Sequence, residues 1–157
     1  MLKLPLALSA CVLALTFSQC GNPPADNVNN NNGNSQHNEQ VKAKSQEVER
    51  TLGEINSFAA DVQRKVYTNP EVARGIDEAQ ALLDSKKQEM RAKVLAVKNT
   101  PAVEITPELE AKRGQLLYAA ATGLGSLRIT SPGKYDTPEL KPKFDKLLQS
   151  YDETFKP

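Results

Sequence analysis

From Glu39 to Pro157 the apolar side chains recur at helical spacing, and no segment alternates as a strand would, which confines the chain to one class of fold. Val41, Val48, Ile55 and Val62 repeat every seven residues, and Leu52, Ala59 and Val66 form the adjoining row. Residues 39–67 therefore predict a helix with a single apolar stripe, its other faces held by Glu47, Glu49, Arg50, Asp61, Arg64 and Lys65. Gly53, which costs a helix about 1 kcal/mol against alanine, reads as a site of close helix contact. A second stripe, Val72, Ile76, Ala79, Leu83, Met90, Val94 and Val97, keeps the same rhythm to the neighbourhood of Asn99. One polar turn from Asp84 to Glu89 breaks it, which reads as an exposed stretch.

The helix starts share a grammar. Asn69-Pro70-Glu71, Thr106-Pro107-Glu108 and Thr137-Pro138-Glu139 each offer a capping side chain, then a proline whose missing N–H is harmless in a first turn, then an acid favoured by the helix dipole. The intervening segments do not align, so this is common cap chemistry and not a repeat. Pro101 disfavours helical geometry at Thr100 and stops the second helix. Ala102 to Ile105 reads as a short extended connector.

The third helix is predicted over Pro107 to about Thr122. Gly123 and Gly125 are read as its end or a kink, since neither a strand before them nor a lysine after them makes a phosphate loop. The TSPGKYD segment from Thr130 to Asp136 is a turn, with Tyr135 folding back on the bundle. Leu140, Phe144, Leu147, Leu148, Tyr151 and Phe155 give the last helix its face, with Pro142 placing its regular part at Lys141 or Pro142. Short connectors between four amphipathic segments, three long and one shorter, imply an all-α antiparallel bundle.

The chain ahead of this domain is of a different kind. Lys3 precedes a mostly apolar run from Leu4 to Phe17, too short to span a bilayer as an ordinary helix and of the length of a signal-peptide core. Phe17-Ser18-Gln19-Cys20 resembles the lipobox of bacterial lipoproteins, whose cysteine is diacylated before cleavage; Gln19 stands where that family usually has glycine, alanine or serine. The resemblance implies a signal peptide at residues 1–19 and lipidation of Cys20. Gly21, not aspartate, follows the cysteine, which in a Gram-negative lipoprotein implies the outer membrane. The alternatives are a cut after Ser18 that releases a secreted or periplasmic soluble protein, and an uncleaved anchor. With Cys11 inside the signal, one mature thiol cannot form an internal disulfide, and a retained thiol fits a lipid-bearing role. Each buried methylene of an acyl chain adds about 0.8 kcal/mol to membrane binding. Residues 20–38, with an asparagine run and little apolar surface, read as a disordered tether ahead of the domain at 39–157.

Removing Lys3 from the 20 basic residues leaves 19, against 19 acidic, so no field of one sign exists to gather nucleic acid or anionic lipid. The sole histidine, His37, falls in the tether, and the folded region holds no cysteine. That inventory removes Ser-His-Asp and Cys-His catalysis and histidine or cysteine ligation of zinc or haem. Carboxylates remain, Asp77 with Glu78 and Glu104 with Glu108 and Glu110, but helix neighbours rarely face one site. No cofactor is expected. Tyr67, Tyr118, Tyr135 and Tyr151 read as packing at the core's edge in preference to a groove. Two functions survive. One is a lipid-anchored, non-catalytic envelope protein that binds a protein partner, as adaptor, surface or structural element; the other is a carrier or sensor for a small apolar ligand inside the bundle.

Overall fold

Residues 31–156 are described by the structure, a computed structural model. The signal segment, Cys20 and the tether up to residue 30 lie outside the described residues. The chain forms α1 (Asn31–Thr68), α2 (Val72–Asn99), a 3₁₀ turn (Ala102–Glu104), α3 (Pro107–Thr130) and α4 (Leu140–Phe155). Among the described residues there is no strand, and the four helices pack as an all-α bundle of three long members and one shorter one.

Each stripe became a buried seam, except that Val41, the first member of the α1 stripe, is only half-buried. Val48, Leu52, Ile55, Ala59, Val62 and Val66 of α1 are all buried, joined by Phe58, which the heptad pattern did not single out. On α2 the buried set is Gly75, Ile76, Ala79, Leu83, Met90, Val94 and Val97, with Val72 half-buried at the edge. The polar interruption is not wholly exposed. One turn beyond Leu83, Lys87 lies half-buried and its Nζ reaches Glu153 of α4 at 2.5 Å.

Helix directions follow from which residues meet. Ser45 near the start of α1 touches Thr106 at the start of α3, and Asp77, Gln80 and Lys87 of α2 meet Lys143, Ser150 and Glu153 of α4 in rising order. α1 and α3 therefore run parallel, as do α2 and α4, while α1 with α2 and α3 with α4 run antiparallel. Direction still alternates along the chain. The parallel neighbours arise because the connection from α2 to α3 crosses the bundle to its opposite corner.

Several boundaries differ from the sequence reading. α1 begins at Asn31, so residues 31–38, assigned to the tether, are helical; residues 34–40 are all exposed, extending the helix past the packed part of the bundle. Gly53 marks no close contact, for it is exposed with nothing within 4 Å of where a Cβ would stand. The close approach is at Gly75, where a Cβ would lie 2.7 Å from the carbonyl oxygen of Lys65 and 2.9 Å from Asn69 Cβ.

The caps vary in register. Thr106 behaves as read, its hydroxyl accepting from the Leu109 N–H at 3.4 Å. At α2 the side chain of Asn69 accepts the Glu71 N–H at 3.0 Å, and the helix opens after Glu71 instead of at Pro70. Thr137 caps α4 through its hydroxyl to Leu140 N–H, and its carbonyl accepts the Lys141 N–H. The next bond in that ladder would come from residue 142. Proline has no N–H to give, so the regular helix starts at Leu140.

Thr100 is extended (φ −64, ψ 123), as a residue before proline must be. Ala102–Glu104 then turns as a 3₁₀ helix where an extended connector was expected, closed by Glu104 N–H to Pro101 O at 3.0 Å. In an extended segment Val103 and Ile105 would share a face. The turn parts them, leaving Val103 77% exposed and Ile105 buried. Arg113 reaches back from α3 to the carbonyls of Val97 and Thr100, placing its cation on the negative end of α2.

Candidate functional site

Five large apolar side chains are exposed among the described residues, and three of them, Leu116, Tyr118 and Ile129, belong to α3. The reason is in its sequence. From Gly114 to Leu127 there is no charged residue, so apolar and small side chains face outward as well as inward. Leu109, Ala120 and Leu124 take the buried side. Tyr118 and Ile129 stand 71% and 82% exposed on the other.

Beside them an open groove runs between α3 and α4, lined by Ala121, Gly125, Leu148 and the two exposed side chains, with Arg128 and the Asp152–Lys156 ion pair at its margin. α3 continues through Gly123 and Gly125 to Thr130, correcting the expectation that those glycines end it. At Gly123 a Cβ would run into the amide of Gln63, so the residue admits a neighbour on α1 instead of breaking the helix.

Arg128 fixes one end of the groove. Its Nη2 donates to Asp145 at 2.7 Å and lies 3.3 Å from Asp136, and its guanidinium sits 5.5 Å from the centre of the Phe144 ring. The carboxyl of Asp145 is held below its usual range, first by its hydrogen bond from Lys141 and then by that from Arg128. Tyr135, at the end of the turn after α3, does fold back: it is buried and stacks on Phe144 with ring centres 4.4 Å apart. The α3–α4 turn is thereby pinned to the bundle.

Beneath the groove Tyr151 is fully buried, its hydroxyl donating to Ala120 O at 2.5 Å and accepting from Gln63 Nε2 at 3.2 Å. Burial pushes the phenol up to about 12. Replacing Tyr151 by phenylalanine is expected to lower stability by about 1–2 kcal/mol, read as a drop in the urea midpoint at unchanged m-value. An unfolded tyrosine ionises near 10, so the buried one gives up stability as pH rises from there towards 12. The Tyr151→Phe chain should lack that part of the alkaline loss.

The tyrosines thus divide. Tyr135 and Tyr151 are core residues, while Tyr67 and Tyr118 are exposed, the latter on the groove. The acidic residues do not converge. Asp77 pairs with Lys143 at 2.8 Å, and Glu78 lies between Arg74 and Lys65, its carboxyl lowered chiefly by the hydrogen bond from Arg74. Glu110 pairs with Arg113, and Glu104 and Glu108 are exposed at the far end of α3 from the groove. His37 lies on the exposed start of α1, beside a shallow cleft shared with Val41, Lys44 and Val103. Cys20, the expected lipidation site, lies outside the described residues. No helix among them is long and apolar enough to cross a membrane. Comparison of the chain with family models, with curated proteins and with solved structures found no match.

Proposed function

We propose that this chain is a non-catalytic protein of the bacterial envelope, anchored through lipid on Cys20, whose helical bundle engages a protein partner through α3 and the α3–α4 groove. The observation that carries the binding half is the uncharged outward face of α3, with Tyr118 and Ile129 standing free in water. Exposed aromatic and aliphatic side chains beside a groove have the make-up of a helix-docking surface. The expected internal ligand site gains no such support, since Leu83, Val94, Ala120 and Leu124 are at most 2% exposed within one continuous core.

The anchoring half rests on the lipobox-like segment ending at Cys20. Residues 34–40 of α1 are helical and exposed, ahead of the packed part of the bundle. In a Gram-negative envelope Gly21 favours the outer membrane over the inner. The test is metabolic labelling with a palmitate analogue in a bacterial host. The protein is expected to take the label and to sediment with membranes, and Cys20→Ser is expected to lose both. Labelling that persists in Cys20→Ser, or a soluble unlabelled wild-type protein, overturns the anchor.

A further inference from the structure

We infer that the outward face of α3 is a self-association surface, on which a second copy of this chain docks its own α3 in antiparallel orientation. Four residues carry the inference: Gly114, Tyr118, Gly125 and Ile129. At 100° per residue they fall within about 60° of one another around the helix, on one face. Tyr118 and Ile129 are its large exposed side chains. Gly114 and Gly125 are exposed, with nothing within 4 Å of where a Cβ would stand.

Their order is small, large, small, large, and their spacing is symmetric. Gly114 and Ile129 are centred on the same point as Tyr118 and Gly125, midway between Ala121 and Thr122. Turned end for end about that point, a second α3 sets its Tyr118 over Gly125 and its Ile129 over Gly114, and receives the same in return. A two-fold interface requires one patch that complements itself, with each residue meeting its counterpart in both directions. A parallel copy in register would set tyrosine against tyrosine and leave the glycines unfilled.

Charge agrees. Along α3 no charged residue lies between Arg113 and Arg128, and in this register Arg128 falls opposite Gln115 and Arg113 opposite Thr130. The charges at the groove's margin are already paired within the chain, Arg128 with Asp145 and Lys156 with Asp152. From Gly114 to Ile129 the face spans about 24 Å by 10 Å, well under the roughly 800 Å² per partner of a standard interface, so the pair is expected to be weak. This inference rests on the reading of α3 as a docking face and names a second copy as its occupant; the surface belongs to the bundle, so it is independent of how the N-terminus is anchored.

The test is sedimentation equilibrium of the full chain carrying Cys20→Ser, so that no acyl group drives association, from about 10 μM to 1 mM. The decisive variant fills both holes, Gly114→Leu with Gly125→Leu. Both positions open onto solvent in the monomer, so its thermal midpoint is expected to hold or rise while its association weakens at least tenfold. Tyr118→Ala with Ile129→Ala is expected to weaken association to the same extent. A chain that stays monomeric at the highest concentration overturns the inference, and so does association that the glycine-filled variant retains in full, which would place the contact elsewhere.

Discussion

Replacing Phe144 by alanine is expected to cost about 3–5 kcal/mol, a large part of the roughly 5–15 kcal/mol that keeps a domain folded. The ring is fully buried and supports two features at once. Tyr135 stacks on it, interplanar angle 13°, and the Arg128 guanidinium lies over it while holding Asp145 and Asp136. Its removal opens a cavity under the α3–α4 turn, and Tyr135 loses the surface that keeps it out of water. The check is urea unfolding together with amide exchange across residues 131–139, which should quicken beyond the global change. Phe144→Leu keeps most of the volume and should cost about half as much or less. A loss near 1 kcal/mol for the alanine variant would mean that Tyr135 does not depend on this ring.

That junction also marks where the sequence ceases to be legible. The stripes of α1 and α2 could be read because each helix has one apolar side, and periodicity reports one-sided burial directly. α3 has apolar residues on two sides, so its period conveys little, and its glycines looked like an ending. What carries the helix onward is distant: Gln63 of α1 lies against Gly123, and Leu124 is buried in the core. The bonds joining Tyr151 to Gln63 and Ala120 span 88 and 31 positions, beyond the reach of any local pattern. The start of α1 was missed for a related reason. Residues 31–38 have neither apolar rhythm nor charge, and their composition resembles a spacer whether or not a helix runs through them. Of the candidate surface, the sequence shows only that small residues, Gly114, Ala119, Ala120, Ala121, Gly123 and Gly125, concentrate in α3. Which of them faced outward depended on where α1 and α4 sit.

Glycine gives the sharpest contrast between local and tertiary causes. Gly75→Ala is expected to destabilise by about 1–3 kcal/mol, because overpacking at that site must first overcome the roughly 1 kcal/mol that alanine contributes to a helix. The atoms in the way are the Lys65 carbonyl oxygen and Asn69 Cβ at the α1–α2 corner. The first is backbone in the last turn of α1 and the second sits in the corner, where the Asn69 side chain already accepts the Glu71 N–H, so neither can move aside as the end of a flexible side chain would. Gly53→Ala meets open space and should stabilise by about the propensity difference, 1 kcal/mol. In a domain of this size each kilocalorie moves the thermal midpoint by about 3–6 °C, so the two variants should depart from wild type in opposite directions in one melting experiment. Equal shifts of the same sign would show that backbone propensity governs both sites and that α1 and α2 do not meet as closely as Gly75 implies.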